Sequence, residues 1–258
     1  HFYIVDTFAN FFIYLAFYFA TLIMLGKKPE RPSQPAPVDN AVPEEESELT
    51  EEDQQPANID EDKISFNEFL KQGWSQGILY ILFGIAAGMA AACKISAAPV
   101  VILLPAAALI WYLSLTEEDR GKQSFLIIRN LAVAGVVALV VFRILQPYAF
   151  QGPGFFNIGL NEKWISNLKT LSAQSAGDVE FPPALQWARR PLSFAWSNMV
   201  HFGLGYPLGI LAWLSFIWLG WRLIKGDWRR YALVWGWTLI IFVWQSVSFV
   251  RSMRYQLP

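Results

Sequence analysis

A few ionisable residues stand at the ends of long apolar segments, and their types suit the recognition of an anion. Lys94 is the one charge within residues 76–114, Asp6 precedes the first apolar segment, and Arg251 and Arg254 follow the last one. Ammonium and guanidinium groups bind phosphate through charge-assisted hydrogen bonds. The pattern therefore predicts a site for a phosphate-bearing ligand at one face of a membrane.

Each of these residues also has a purely structural explanation. Asp6 would be the N-cap of its helix, where a carboxylate favours the helix dipole, and that role does not exclude a catalytic one. Lys94 would be a polar turn residue at the interface, and Arg251 and Arg254 would anchor to lipid headgroups. The tryptophans between the spans would form an aromatic belt: Trp164, Trp187 and Trp196.

The composition is that of an integral membrane protein. Of the 258 residues, 54% are hydrophobic, 16% are aromatic and only 16% are charged, an unusual balance for a soluble domain. Residues 27–63 hold twelve of the 21 acidic and four of the 20 basic residues, so the remainder carries sixteen basic against nine acidic residues. This cationic remainder suits an anionic lipid or phosphate partner.

The apolar segments predict an all-α polytopic fold with about six transmembrane helices and a long extracytoplasmic loop that holds short helices. Each segment is about as long as the ~20 residues that cross a bilayer: residues 6–25, 77–93, 97–113, 124–145, 204–224 and 231–250. Basic residues are concentrated in the loops near residues 26–31, 120–122 and 222–230, which the positive-inside rule makes cytoplasmic. Asp6, Lys94, the long loop and Arg251 then face outside.

Five regions follow from this pattern. They are a transmembrane helix (1–26), a disordered acidic cytoplasmic linker (27–63), an interfacial helix with three transmembrane helices (64–145), the extracytoplasmic loop (146–201), and two transmembrane helices with an outer basic cluster (202–258). Residues 64–75 are expected to form a short amphipathic helix in the interface. Residues 76–114 are expected to form a hairpin that turns at Lys94 and kinks at Pro105, and residues 116–122 are expected to be a charged loop.

Several function classes are disfavoured. The sequence has no Gly-rich phosphate loop, no HExxH and no nucleophile elbow, and its basic residues show no pattern of nucleic-acid recognition. One cysteine allows no internal disulfide, and two isolated histidines give no structural zinc site. Since the chain starts at His1 without a signal peptide, we expect it to be an internal piece of a longer protein.

The long segment 146–201 mixes aromatic and charged side chains with turn formers, as loops that bind ligands often do. Its candidates for contact with a substrate or an acceptor are Trp164, Trp187, Arg189 and Arg190. We expect the segment to cover a site on the outer face.

The order of several short motifs resembles polytopic glycosyltransferases with the C-type fold, in particular the protein O-mannosyltransferase-like family and bacterial phospholipid-carrier-dependent glycosyltransferases. The motifs cover nearly the whole chain except residues 27–71: HFYIVDT at 1–7, GIAAG and ACK within 84–94, a proline-containing helix at 99–105, QPYAF at 146–150, PP and QW within 182–187, GLGYPLG at 203–209 and RYQLP at 254–258.

The resemblance implies transfer of a sugar from a polyprenyl-phosphate carrier to a protein, lipid or glycan acceptor outside the cytoplasm, in a bacterial plasma membrane. It implies that Asp6 supports catalysis and lies near a divalent metal where one is used, with no other cofactor expected. It places Lys94, Arg251, Arg254 and Tyr255 at the carrier phosphate. The family's main catalytic carboxylate would lie upstream of this sequence.

Two other hypotheses stay open. A lipid-carrier flippase or transporter would have the same topology, but it would be expected to carry charges within its spans rather than at their ends. A structural subunit whose loop docks a partner would have no need for the outer basic residues.

Overall fold

The structure is a computed structural model that describes residues 2–26, 66–152, 154, 156–187 and 190–251. Within these residues every regular element is helical, apart from one isolated antiparallel bridge between Phe150 and Leu160. The predicted all-α fold is therefore confirmed for the described part of the chain, whereas the predicted linker at residues 27–63 lies outside it.

The α-helices of the described residues are long in both flanking regions and short in the segment between them. Their bounds are α1 (Phe2–Met24), α2 (Phe66–Cys93), α3 (Leu103–Leu113), α4 (Glu117–Leu145), α5 (Glu162–Ala176), α6 (Pro182–Leu185), α7 (Phe194–Asn198), α8 (Tyr206–Arg222) and α9 (Trp228–Val247). Two 3-10 helices (Ile95–Ile102 and Pro147–Ala149) and two π-helical turns (Met199–Gly203 and Leu223–Asp227) connect them.

Five helical stretches among the described residues are long and apolar enough to cross a membrane, which is compatible with the predicted integral membrane protein. They are Asp6–Met24, Gln76–Cys93, Ile95–Leu113, Glu117–Leu145 and Tyr206–Val247.

The last stretch accounts for the difference from the six predicted spans. Its 42 residues would reach roughly 60 Å as one straight helix, about twice a hydrocarbon core. Gly226 breaks it with a φ of 105°, and α9 then folds back along α8. Ring contacts join Phe216 to Trp235 at 5.2 Å and Trp213 to Phe242 at 4.9 Å between ring centroids. The number of helices that cross a membrane stays a prediction.

The core lies where α2 packs between α1 and α4. A Cβ atom built on Gly84 would lie 2.5 Å from the carbonyl oxygen of Ala134, and one on Gly88 would lie 2.6 Å from that of Ala138. The two glycines thus let α2 approach the backbone of α4, as small residues do between membrane helices. Alanines fill much of the remaining core: Ala16, Ala20, Ala86, Ala87, Ala90, Ala107 and Ala108.

Two local predictions were wrong. Residues 117–122 are not a loop but the first turns of α4, because Glu117, Glu118 and Asp119 occupy the end of the helix where its dipole favours negative charge. The hydroxyl of Thr116, at the N-cap position, donates to the Asp119 carboxylate over 2.6 Å. Likewise, α2 runs without a break from Phe66 to Cys93, so the predicted separate interfacial helix is the continuous beginning of a longer one.

The ends of the helices form two groups, one at each end of the helical region. The Gly26 carbonyl accepts hydrogen bonds from Trp111 Nε1 over 3.3 Å and from Arg229 Nη2 over 2.9 Å, which brings together the end of α1, the end of α3 and the start of α9. We call this the Gly26 end. The opposite end, at Lys94, holds the start of α1 and the end of α2. The grouping matches the predicted alternation of the loops, and which end faces outside stays a prediction.

Candidate functional site

The structure joins two of the residues singled out in the sequence. Lys94 Nζ lies 3.1 Å from Asp6 Oδ1, although 88 positions separate them in the chain. Their side chains are 31% and 26% exposed, so the ion pair is half-buried and an anionic ligand can still reach the ammonium group. A carboxylate at this distance accepts a charge-assisted hydrogen bond from the ammonium group and limits the directions in which that group points.

The local backbone explains how Lys94 reaches this position. Its φ and ψ of −153° and 111° are extended, so one residue separates α2 from the following 3-10 helix. Its N–H donates to the Ala90 carbonyl and its own carbonyl accepts from Ala97, which satisfies both backbone groups. The predicted turn at Lys94 is confirmed. The predicted kink takes a different form, since the 3-10 helix gives way to α3 at Leu103, two residues before Pro105.

The N-cap interpretation of Asp6 was wrong. Helix α1 begins at Phe2, so Asp6 falls beyond the first turn. There its side chain projects from an established helix rather than closing the start of one. Because α1 and α2 run antiparallel, a residue near the start of α1 comes level with the end of α2, and the ion pair with Lys94 follows.

A second group of predicted residues gathers around α7. The Arg251 Nη1 group donates to the Arg190 carbonyl, and the Arg190 guanidinium lies over the Phe194 ring, 4.7 Å from its centroid. The Trp187 ring meets the same phenylalanine at 5.8 Å. Arg251, Arg190 and Trp187 therefore lie together at the end of α9, as the prediction of a common face requires.

Trp164 has a different environment. Its ring packs edge-on against Phe142 of α4, with centroids 6.3 Å apart. Phe142 also meets Phe150 at 5.9 Å, so Trp164 fixes α5 to the end of α4. These contacts hold the loop onto the membrane helices, and contact of Trp164 with a substrate stays a prediction.

Arg143 is a residue whose placement the sequence analysis did not foresee. A charged side chain in the last turn of a membrane span can snorkel to water, yet Arg143, which lies in the last turn of α4, is only 8% exposed. Nη2 donates to the Gly154 carbonyl over 2.7 Å, and the guanidinium carbon lies 4.7 Å from the Phe150 ring centroid. The sequence holds a signal for this contact: the turn-forming segment QPYAFQGPG follows within eleven residues and can fold back over the arginine.

The register of α2 and α4 places Arg143 and Lys94 at the same end of the two helices. A Cβ atom built on Gly84 would contact Val137, and one on Gly88 would contact Val141. In both pairs the residue of α4 lies the same number of positions after its partner in α2. The two helices therefore run in the same direction. Arg143 then lies level with Ala90, one helical turn before Lys94.

The remaining predicted residues lie outside the described part of the chain: Arg189, Arg254 and Tyr255. For a metal, the described residues contain no cluster of three or more His, Cys, Asp or Glu side chains. Moreover, Asp6 Oδ1 already faces the Lys94 ammonium. The donors in the described residues do not fit a divalent ion, and no step is assigned to one.

A scan of protein-family models, a search of curated proteins and a search of solved structures each found no match. The family resemblance therefore stays a proposal that depends on the geometry of the site.

Proposed function

We propose that this chain belongs to a membrane glycosyltransferase, which moves a sugar from a polyprenyl-phosphate carrier to an acceptor on the extracytoplasmic face of a bacterial plasma membrane. The observation that carries the proposal is the ion pair between Lys94 and Asp6. A half-buried amine, directed by a carboxylate at the end of an apolar helix, suits the phosphate of a lipid whose chain stays in the bilayer.

In the proposed reaction the acceptor oxygen attacks C1 of the sugar, and the bond between C1 and the phosphate oxygen breaks. The bonding electrons stay on that oxygen, so negative charge grows on the carrier phosphate. Lys94 stabilises this charge, and low exposure to water strengthens the interaction. The proton of the acceptor goes to the family's main catalytic carboxylate, which the resemblance places upstream.

The group around α7 has a separate role in the proposal. Arg190 and Trp187 lie on the described part of the loop, and Arg251 follows α9. Arg190 and Trp187 contact the acceptor or the outer part of the sugar, and Arg251 keeps the role at the carrier phosphate that the resemblance implies. Asp6 acts as a positioning residue that holds Lys94 toward the phosphate.

The test is sugar transfer by the full-length protein in proteoliposomes that contain a polyprenyl-phosphate sugar. Lys94→Ala is expected to reduce the transfer rate about 100-fold, the size typical for removal of one group that stabilises transition-state charge. Lys94→Arg should retain part of the activity. The matched control is Lys122→Ala, an exposed lysine near the start of α4, which should leave the rate unchanged.

Two results would contradict the proposal. Unchanged transfer by Lys94→Ala and Arg254→Ala would remove the assigned phosphate contacts. A wild-type protein that binds the carrier and moves it across the bilayer without transferring sugar would instead favour the lipid-carrier flippase.

A further inference from the structure

Among the side chains that the structure describes, Arg143 is the one charged group that is buried, at 8% exposure. A guanidinium group stays protonated in proteins, so its charge is buried with it. Its place at the C-terminal end of α4 favours a positive charge through the helix dipole. That effect is small beside the cost of burying a cation without a counter-ion.

The donors of Arg143 are incompletely used. Nη2 donates to the Gly154 carbonyl, while the buried Nε has no acceptor within the described residues. The ion pairs found among those residues join Lys94 to Asp6 and Arg222 to Asp227, and neither involves Arg143. The N–H groups of Nε and Nη2 share one edge of a guanidinium fork, so a two-donor edge here faces a single neutral carbonyl.

A phosphate group fits that edge better than the carbonyl does. Two phosphate oxygens accept from the two donors in parallel, and the phosphate also supplies the negative charge that a carbonyl lacks. By the register of the two helices, Lys94 lies about one helical turn beyond the level of Arg143, so both cations belong to the same end of α2 and α4. We propose that Arg143 is a phosphate-binding residue, and that phosphate takes the place of the Gly154 carbonyl on its guanidinium edge.

This exchange has a structural consequence for the described residues 150–152, 154 and 156–160, which we call the 150–160 loop. The loop is closed by the bridge between Phe150 and Leu160 and by a hydrogen bond from Gln151 N to the Gly159 carbonyl over 2.7 Å. The hydrogen bond from Arg143 and the ring contacts of Phe150 fasten it to α4. When phosphate occupies Arg143, the loop loses its hydrogen bond to the helix and opens more often.

The experiment measures amide hydrogen exchange of the peptide covering the 150–160 loop in the full chain, reconstituted in lipid nanodiscs. One arm compares phosphatidylcholine discs, in which the choline group neutralises each lipid phosphate, with discs containing phosphatidylglycerol, which supplies a lipid phosphate with a net negative charge. The other arm adds inorganic phosphate to phosphatidylcholine discs. At least one arm is expected to accelerate exchange of the loop about tenfold, consistent with loss of a hydrogen bond to a charged group, and the arm that responds identifies the phosphate source.

Arg143→Gln removes the charge, so the loop should exchange fast without phosphate and not respond to it. Arg143→Lys keeps the charge but lacks the two-donor edge, so the acceleration of loop exchange by phosphate should fall severalfold. This variant tests the proposal if Arg143→Gln does not fold. The matched control is Arg129→Gln, an exposed arginine on the same helix that contacts Asn130, which should respond as the wild type does.

No acceleration of the wild type in either arm, or an undiminished response of Arg143→Lys, would overturn the proposal. Because binding and loop opening are measured rather than sugar transfer, the result does not depend on the proposed glycosyltransferase activity. Sugar transfer that depends on Lys94 but no phosphate response at Arg143 would retain the former proposal and reject the latter.

Discussion

The region α1–α4 and the hairpin of α8 and α9 are both apolar, yet they are built in different ways. In the first region 39% of the stretch Gln76–Cys93 is buried by the rest of the chain, against 6% of an 18-residue apolar part of Tyr206–Val247. The first packs backbone against backbone through glycine and alanine. The second packs through large rings, and many of its side chains face outward.

The difference shows which region of the chain can hold a charged side chain in a fixed position. A 3.1 Å contact between residues 88 positions apart requires helices whose relative height is fixed. Closely packed small residues fix this relative height, since any atom added to them would meet a backbone group of the neighbouring helix. Ring-to-ring contacts tolerate larger adjustments, which suits a hairpin that faces lipid or another surface. The Lys94–Asp6 ion pair and Arg143 both belong to the closely packed region.

The largest expected effect comes from filling the contact between α2 and α4. In Gly88→Leu the new side chain would start with a Cβ atom 2.6 Å from the Ala138 carbonyl oxygen, so the helices must separate. We expect a loss of roughly 3 kcal/mol in the free energy of unfolding, the upper part of the overpacking range. Unfolding in mixed micelles with increasing SDS measures it.

The control for this change is Gly135→Ala on α4, where nothing lies within 4 Å of the added Cβ atom. It should be neutral or stabilising by up to about 1 kcal/mol, because alanine is the better helix former. Equal destabilisation by both changes would mean that close approach of α2 and α4 is not what holds this region.

A smaller effect is expected in the hairpin. Trp235→Ala removes the stacking on Phe216 and the hydrogen bond from Trp235 Nε1 to the Phe216 carbonyl over 3.2 Å. We expect a loss of about 2 kcal/mol, confined to faster hydrogen exchange in α8 and α9. Trp244→Ala, an exposed position on the same helix, is the control. Faster exchange throughout α1–α4 would show that the two regions are not independent.

The smallest effect concerns the ion pair itself. A double-mutant cycle with Asp6→Asn and Lys94→Met isolates the coupling between the two side chains. About 1 kcal/mol or less is expected, because both groups remain partly in water. A coupling of several kcal/mol would instead assign the pair mainly to stability and weaken its interpretation as a ligand site.

The sequence predicted those features that depend on local pattern. Apolar length predicted the helices, and an isolated charge within residues 76–114 predicted the turn at Lys94. The alternation of spans also predicted that Asp6 and Lys94 share one face. Their direct pairing was not predictable from the pattern, because it depends on the rotation of α1 and α2 about their axes. That rotation is set by tertiary packing of small residues rather than by the apolar pattern alone.

The features that the sequence pattern does not predict correctly also have physical explanations. The acidic run at Glu117, Glu118 and Asp119 suggests a loop by its charge, whereas the dipole of α4 makes it a favourable helix start. Arg143 suggests a snorkelling residue by its place near a span end. Its burial arises only because the 150–160 loop returns over it, a contact that depends on three-dimensional structure.

The parallel contact of α2 and α4 also constrains how lipids approach the charged end. With the carbonyl oxygens of Ala134 and Ala138 against Gly84 and Gly88, the two helices leave no gap for a hydrocarbon tail at the level of these glycines. An acyl or isoprenoid chain cannot enter the protein from the side between α2 and α4 at that level. A lipid whose headgroup reaches Lys94 must therefore approach along another side of α2, because α2 and α4 together block entry at this level.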